Sequence, residues 1–215
     1  MIKKVIVALT TFSIWNQNNT LFVIASMFLI ACSASSDDSR LRAKINIENI
    51  DFNLDYALLN PDPVQDGAEF SMFYPEGWNM IDSISKVQLA KEVELNTNLI
   101  QLKLVNAFQS FSNSICVISK IVSSEIHFEY IPKDYIKILQ DQFSTQNIKA
   151  SYIEVNGTII RQFVISNNNI ILIKMFINGK FDYQVDYIIS KSFFKQEINS
   201  VQASIATITN KERNK

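Results

Sequence analysis

The stretch from Ile148 to Ser190 constrains the fold more than any other part of the chain. Apolar residues recur there at short intervals, and Asn156-Gly157, Asn167-Asn168-Asn169 and Asn178-Gly179 punctuate them. Asn-Gly accepts positive φ at both central positions, which the two-residue hairpin turn requires. The spacing predicts four antiparallel strands: Ile148 to Val155, Thr158 to Ser166, Ile170 to Ile177 and Phe181 to Ser190. A meander this apolar needs cover. The next segment supplies it, because Phe194, Ile198, Val201, Ile205 and Ile208 recur at spacings of four and three within a helix expected over Ser192 to Thr207.

Upstream, Glu69 to Tyr74 reads as a short strand stopped by Pro75-Glu76-Gly77-Trp78. A helix is expected over 82–96, capped by Asp82 or Ser83, with Ile84, Val87 and Leu95 as its apolar residues. Leu99 to Phe108, with Leu102, Leu104, Asn106 and Phe108 on one face, turns at Ser112-Asn113-Ser114 into Ile115 to Val122. Pro132 opens a second helix in the first-turn position that proline tolerates. Tyr135, Ile138, Leu139 and Phe143 form its apolar stripe. Further upstream, Ile50, Phe52, Leu54, Tyr56 and Leu58 alternate like a half-buried strand before Asn60-Pro61-Asp62-Pro63 ends it. The order of elements predicts α+β: an antiparallel β-sheet covered by helices.

Composition removes several function classes. With 20 Lys and Arg against 21 Asp and Glu, no basic excess marks a nucleic-acid footprint. One histidine excludes a multi-histidine metal site. The four glycines, Gly67, Gly77, Gly157 and Gly179, are too scattered for a dinucleotide-binding turn or a phosphate loop. Glu125, His127 and Glu129 would share a strand face and could hold a divalent ion; a solvated strand face with Ile126 and Phe128 turned inward explains the same pattern. Cys116 lies in an apolar strand and reads as a buried, inert thiol rather than a nucleophile served by His127. No serine sits in G-x-S-x-G, and Asp134 with Asp141, or Asp182 with Asp186, read as solvated carboxylates. Tyr74 to Trp78 is either a recognition loop or, the favoured reading, packing of Trp78 over the core edge. Phe176, Phe181, Tyr183 and Tyr187 read as core or cross-strand pairs; a shared exposed patch would instead suggest partner or lipid binding.

The N-terminus carries the strongest localisation signal. Lys3 and Lys4 are the only charges before Asp37, and apolar stretches run over Val5 to Trp15 and Leu21 to Ala31. The second is of signal-peptide length and too short to span a bilayer. It ends in Leu29-Ile30-Ala31-Cys32 and turns abruptly polar. This resembles the lipobox of bacterial lipoproteins. The resemblance implies cleavage between Ala31 and Cys32, a diacylglyceryl thioether on Cys32, and a membrane partner reached through acyl chains. Two or three chains hold effectively permanently where one is marginal. Cleavage would leave a net charge of −3, so the acyl group rather than charge would do the anchoring. With Cys32 lipidated, Cys116 has no disulfide partner. Ser33, rather than aspartate, after the cysteine leans towards the outer membrane or cell surface. Residues 33–44 read as a polar tether.

Four sequence words resemble the PsbP-like fold, in its bacterial envelope-lipoprotein (DcrB-type) branch. They are Phe70-Ser71-Met72-Phe73-Tyr74-Pro75-Glu76-Gly77-Trp78, Leu104-Val105-Asn106-Ala107-Phe108 with its return strand Ile115 to Ser119, Val155-Asn156-Gly157 ahead of the meander, and the closing amphipathic helix. The resemblance implies a PsbP-like α/β/α sandwich over 68–208. A signal peptide over 1–31, a tether and extended segment over 32–67 and a polar tail over 209–215 complete the organisation. It also implies a non-catalytic binding or assembly module, with no cofactor, metal or catalytic residue carried over. A lipid-anchored protein that binds an envelope protein is the first expectation. A carrier or sensor of a small apolar ligand is the second, and a hydrolase the third.

Overall fold

The computed structural model describes residues 47–48, 50, 52–95, 100–124, 133–145, 147–179 and 181–210. The chain divides into two compact units, 1–45 and 46–215, and all described residues belong to the second. Its main sheet has eight strands. They are β1 (Ile47–Glu48), β4 (Asn79–Met80), β5 (Ile100–Gln109), β6 (Ile115–Ser124), β7 (Ile148–Val155), β8 (Thr158–Ser166), β9 (Ile170–Ile177) and β10 (Tyr183–Ser190), in the order β1-β7-β8-β9-β10-β6-β5-β4. A second sheet sets β3 (Phe70–Met72) between β2 (Val64–Asp66) and β11 (Thr209–Asn210). Helices α1 (Ser83–Leu95), α2 (Lys133–Phe143) and α3 (Phe194–Ala206) complete the α+β fold. Every pairing is antiparallel except β1 on β7.

Alternation along the strands divides the core between two faces. Tyr183, Val185, Tyr187 and Ile189 join Ile173, Met175 and Ile177 in one cluster, covered by Val201, Ile205 and Ile208 and by Phe70, Met72 and Trp78. Phe163, Ile165, Leu172 and Phe176 face the other way, beneath Leu139 of α2 with Tyr135, Ile136 and Phe143. Helices on both faces make the sandwich, and full burial of side chains this large stabilises by about 1.5–3 kcal/mol each.

The structure revises several expectations. Residues 56–58 form a 3₁₀ turn rather than a strand, because Asp55 accepts a hydrogen bond from the Ala57 amide and closes the turn; Leu54 and Tyr56 are exposed. The packed unit begins before Ala68, since Leu59 and Val64 are buried and β1 joins the sheet. It also extends past Ile208, because Thr209 and Asn210 pair with β3. The β9–β10 connection spans 178–182 rather than two residues: Ile177 pairs with Tyr183, and Asp182 holds the wide loop by accepting from the Gly179 and Ile121 amides, through its side chain and its carbonyl respectively. Leu102 and Phe108 belong to opposite core clusters, because a register shift between Leu104 and Asn106 moves the strand's faces. On α1, Ser85 and Leu89 are buried while Ile84 and Val87 face outward. On α2, Ile136 rather than Ile138 packs on the core.

Two local devices hold as the sequence expected. Asn156 and Gly157 both have positive φ, 50° and 76°, and close β7 onto β8. Asp82 caps α1, accepting from the Ile84 and Ser85 amides and the Ser85 hydroxyl. Those bonds, the Ser85 amide foremost, hold its carboxyl below the usual value of 3.8. Two outcomes follow. A Cβ on Gly157 meets open space, so Gly157→Ala costs only the backbone strain of positive φ, about 1 kcal/mol in chemical denaturation. A depressed folded pKa contributes stability above the unfolded value and loses it as pH falls through the folded one. Amide exchange at Ile84 and Ser85 therefore accelerates relative to the sheet below pH 3.8, and Asp82→Asn, which caps without titrating, abolishes that dependence.

Candidate functional site

Among the described residues, those singled out in the sequence do not converge on one place. Ala31, Cys32, Glu125, His127 and Glu129 lie outside the described residues. Cys116 is fully buried in β6, and desolvation foremost holds its thiol well above the usual range. Trp78 is buried with its ring edge-on to Tyr187 at 6.1 Å, and Tyr74 stacks on Phe108 at 4.0 Å; the packing reading of Tyr74 to Trp78 holds. Phe176, Tyr183 and Tyr187 are core, whereas Phe181 is 39% exposed under the Lys120 ammonium, 3.5 Å from its ring centroid. Asp141 is exposed.

Asp186 departs from the solvated reading. It stands opposite Lys174 across β9 and β10, and its Oδ2 accepts from Lys174 Nζ at 2.9 Å and Gln184 Nε2 at 2.6 Å. Arg161, 2% exposed, donates to the Tyr152 hydroxyl at 3.1 Å. These groups occupy the α2 face of the sheet. Tyr135, Phe163 and Phe176 fill the space beside them, edge to face with centroids 5.5–6.0 Å apart.

A different arrangement lies at the end of the sheet where β5 turns into β6. Three serines alternate through that turn, and all are buried. Ser112 Oγ donates to Glu197 Oε1 at 2.6 Å, and Ser114 Oγ donates to Glu197 Oε2 at 2.5 Å. Ser110 Oγ lies 2.6 Å from Ser112 Oγ and accepts from the Ser114 amide. Because the Ser112 proton is committed to the carboxyl group, Ser110 must be the donor to Ser112. Glu197 is 6% exposed, in the first turn of α3, where the helix dipole favours an acidic group. Asn113, with φ of 66°, completes the turn.

This clamp holds a turn that carries an exposed aromatic residue. Phe111 is 82% exposed, the most exposed large apolar side chain among the described residues. Its ring meets Phe193 edge-on at 6.3 Å. An open groove of about 280 Å³ joins it to Asn79, Met80, Ile81, Asp82, Gln109 and Ser110, and Met80 is 58% exposed. Exposed Lys191 and Lys195 stand on either side of Phe193 in the chain. An exposed apolar tip on a braced turn can insert into or lie against another apolar surface. Sequence reasoning passed over it, although the signal was legible: Phe111 stands alone among Ser110, Ser112, Asn113 and Ser114, turn residues that give it nothing to pack on. A second open groove, of about 540 Å³, lies at β3 and β11 and is lined by Gln65, Glu69, Ser71, Asn156, Thr209 and Asn210 among others.

Among the described residues, no three or more His, Cys, Asp or Glu side chains gather as a metal site, and no helix is long and apolar enough to cross a membrane. Fold and site together define an α+β sandwich with a buttressed aromatic tip. A scan against protein-family models finds no match, and a search of curated proteins finds none. Among solved structures the chain is similar to that of cyanobacterial PsbP (CyanoP) from Synechocystis sp. PCC 6803, at 12% identity over 74% of this chain and 95% of that one, with a TM-score of 0.44.

The clamp and the tip separate in a stability measurement. Glu197→Ala strands two buried hydroxyls and lowers unfolding free energy by roughly 3 kcal/mol. Phe111→Ser, at an exposed position, shifts it by no more than about 0.5 kcal/mol.

Proposed function

We propose that the chain is a lipid-anchored bacterial cell-envelope protein whose α+β domain acts by binding, as a protein-binding or assembly module, rather than by catalysis. The lipobox Leu29-Ile30-Ala31-Cys32 at the end of an apolar leader carries the anchoring part of this reading. Acylation of Cys32 would place the mature chain on the outer membrane or cell surface, following Ser33. The binding part is supported by the exposed apolar tip at Phe111, on a turn that the Glu197 clamp holds against α3. A carrier of a small apolar ligand has less support. The grooves at Phe111 and at β3 and β11 are both open rather than enclosed.

Intact mass of the chain extracted from native membranes tests the anchor. The expected mass starts at Cys32 and includes acyl chains, and Cys32→Ala abolishes both the processing and the added mass. An unprocessed, unmodified wild-type mass overturns the lipoprotein reading.

A further inference from the structure

We propose that the end of the sheet carrying Phe111 rests against an anionic lipid surface, so that the domain is docked on the bilayer in one orientation as well as tethered to it. This rests on the lipid-anchored reading above, and three observations carry it further. The first is the tip itself. Phe111 is 82% exposed on a turn braced from within, with Ser112 and Ser114 bonded to Glu197 and Ser110 to Ser112. Phe193 touches it and Met80 lies across the groove, so the apolar surface is shared rather than isolated. An aromatic wedge of this kind suits the boundary between headgroups and acyl chains.

The second observation is charge. Lys191 and Lys195 are exposed, each two positions from Phe193 in the chain, and the Lys191 ammonium donates to the Asn167 carbonyl in the β8–β9 turn at the same end; each basic group near an anionic leaflet adds favourable energy over a short range. Of the acidic groups at this end, Glu197 is buried in the clamp, whereas Asp82, which caps α1, and Asp141, in the last turn of α2, are exposed, so the two lysines act locally around Phe193 rather than as part of a basic face. The protein as a whole is slightly acidic, so the basic rim orients a protein that is already held rather than recruiting one from solution.

The third observation is strand direction. Ile47 and Glu48 pair in parallel with Tyr152 and Ile153, so the N-terminal end of β1 points towards Ile148. Ile148 pairs with Ile165, and the register carried across the sheet puts Ile115 and Gln109 at that same end. The connection to Cys32 is residues 33–46, and at about 3.5 Å per residue it reaches no more than about 50 Å. Tethering through the end that carries Phe111 keeps the wedge at high effective concentration over the bilayer, where a weak contact suffices.

The test couples the mature chain, residues 32–215, through Cys32 to a maleimide-bearing lipid in phosphatidylcholine–phosphatidylglycerol vesicles. Cys116 is fully buried and does not compete. Phe111→Trp reports on the tip, and subtracting the parent chain removes Trp78. The expected result is a blue-shifted emission that loses most of its intensity to brominated acyl chains, with both effects weakened by Lys191→Glu and Lys195→Glu. Emission unchanged from buffer on vesicle-bound protein overturns the proposal, as does emission that shifts only when an envelope protein extract is added. Because the coupling is chemical, the outcome is independent of acylation in the cell: an unacylated native mass with quenching retained removes the anchor reading and supports the lipid contact.

Discussion

The Tyr187 hydroxyl is the group whose satisfaction ties the parts of this fold together. It lies fully buried at the centre of β10, 2.6 Å from Ser204 Oγ on α3. Ser204 gives its own proton to the Phe73 carbonyl just after β3, so Tyr187 must donate to Ser204. Burial holds the phenol well above its usual pKa, which keeps that proton in place. One relay thus joins the main sheet, the closing helix and the second sheet, and Trp78 seals it from the side. A buried hydroxyl left without a partner costs about 1–3 kcal/mol, so each of the three parts is penalised for moving alone.

Polar groups play a similar role on the opposite face. A sheet apolar on both sides has little to choose between registers, because a slip by one residue exchanges one apolar set for another. Asp186 opposite Lys174, and Arg161 opposite Tyr152, remove that freedom. A slip would bury a charge against Tyr187 or Val185 instead of its partner. The Glu197 clamp does at the end of the sheet what these pairs do on its face, holding the turn before β6 against α3.

The meander, the closing helix and the Asp82 cap were legible in the sequence because each is local: Asn-Gly turns, spacings of four and three, and an acidic cap all act within a few residues. The misreadings share a cause at longer range. The outward face of α1 was unreadable because Ile84 and Val87 are apolar and Ser85 is not, yet Ser85 is the buried one. The split of Leu102 from Phe108 depends on a bulge that only the pairing with β6 reveals. Asp182 set the loop after β9 through contacts with β6 that overrode the Asn178-Gly179 signal. For the candidate site, Phe111 was visible as an aromatic among turn residues. Its buttress was not, because Glu197 lies 85 positions from Ser112.

The attachment of β1 has a mechanical consequence. A pull on the N-terminal end of a strand paired in parallel loads its hydrogen bonds along the strand axis, in shear, so they share the force rather than opening one by one. Among the described residues that joint is only Ile47 and Glu48 on β7, with the Lys149–Glu48 ion pair beside it. It is therefore the weakest link under tension. A pull on the N-terminus would strip β1 from the sheet edge and release several residues of chain, while the sandwich and its buried relay stay intact behind it.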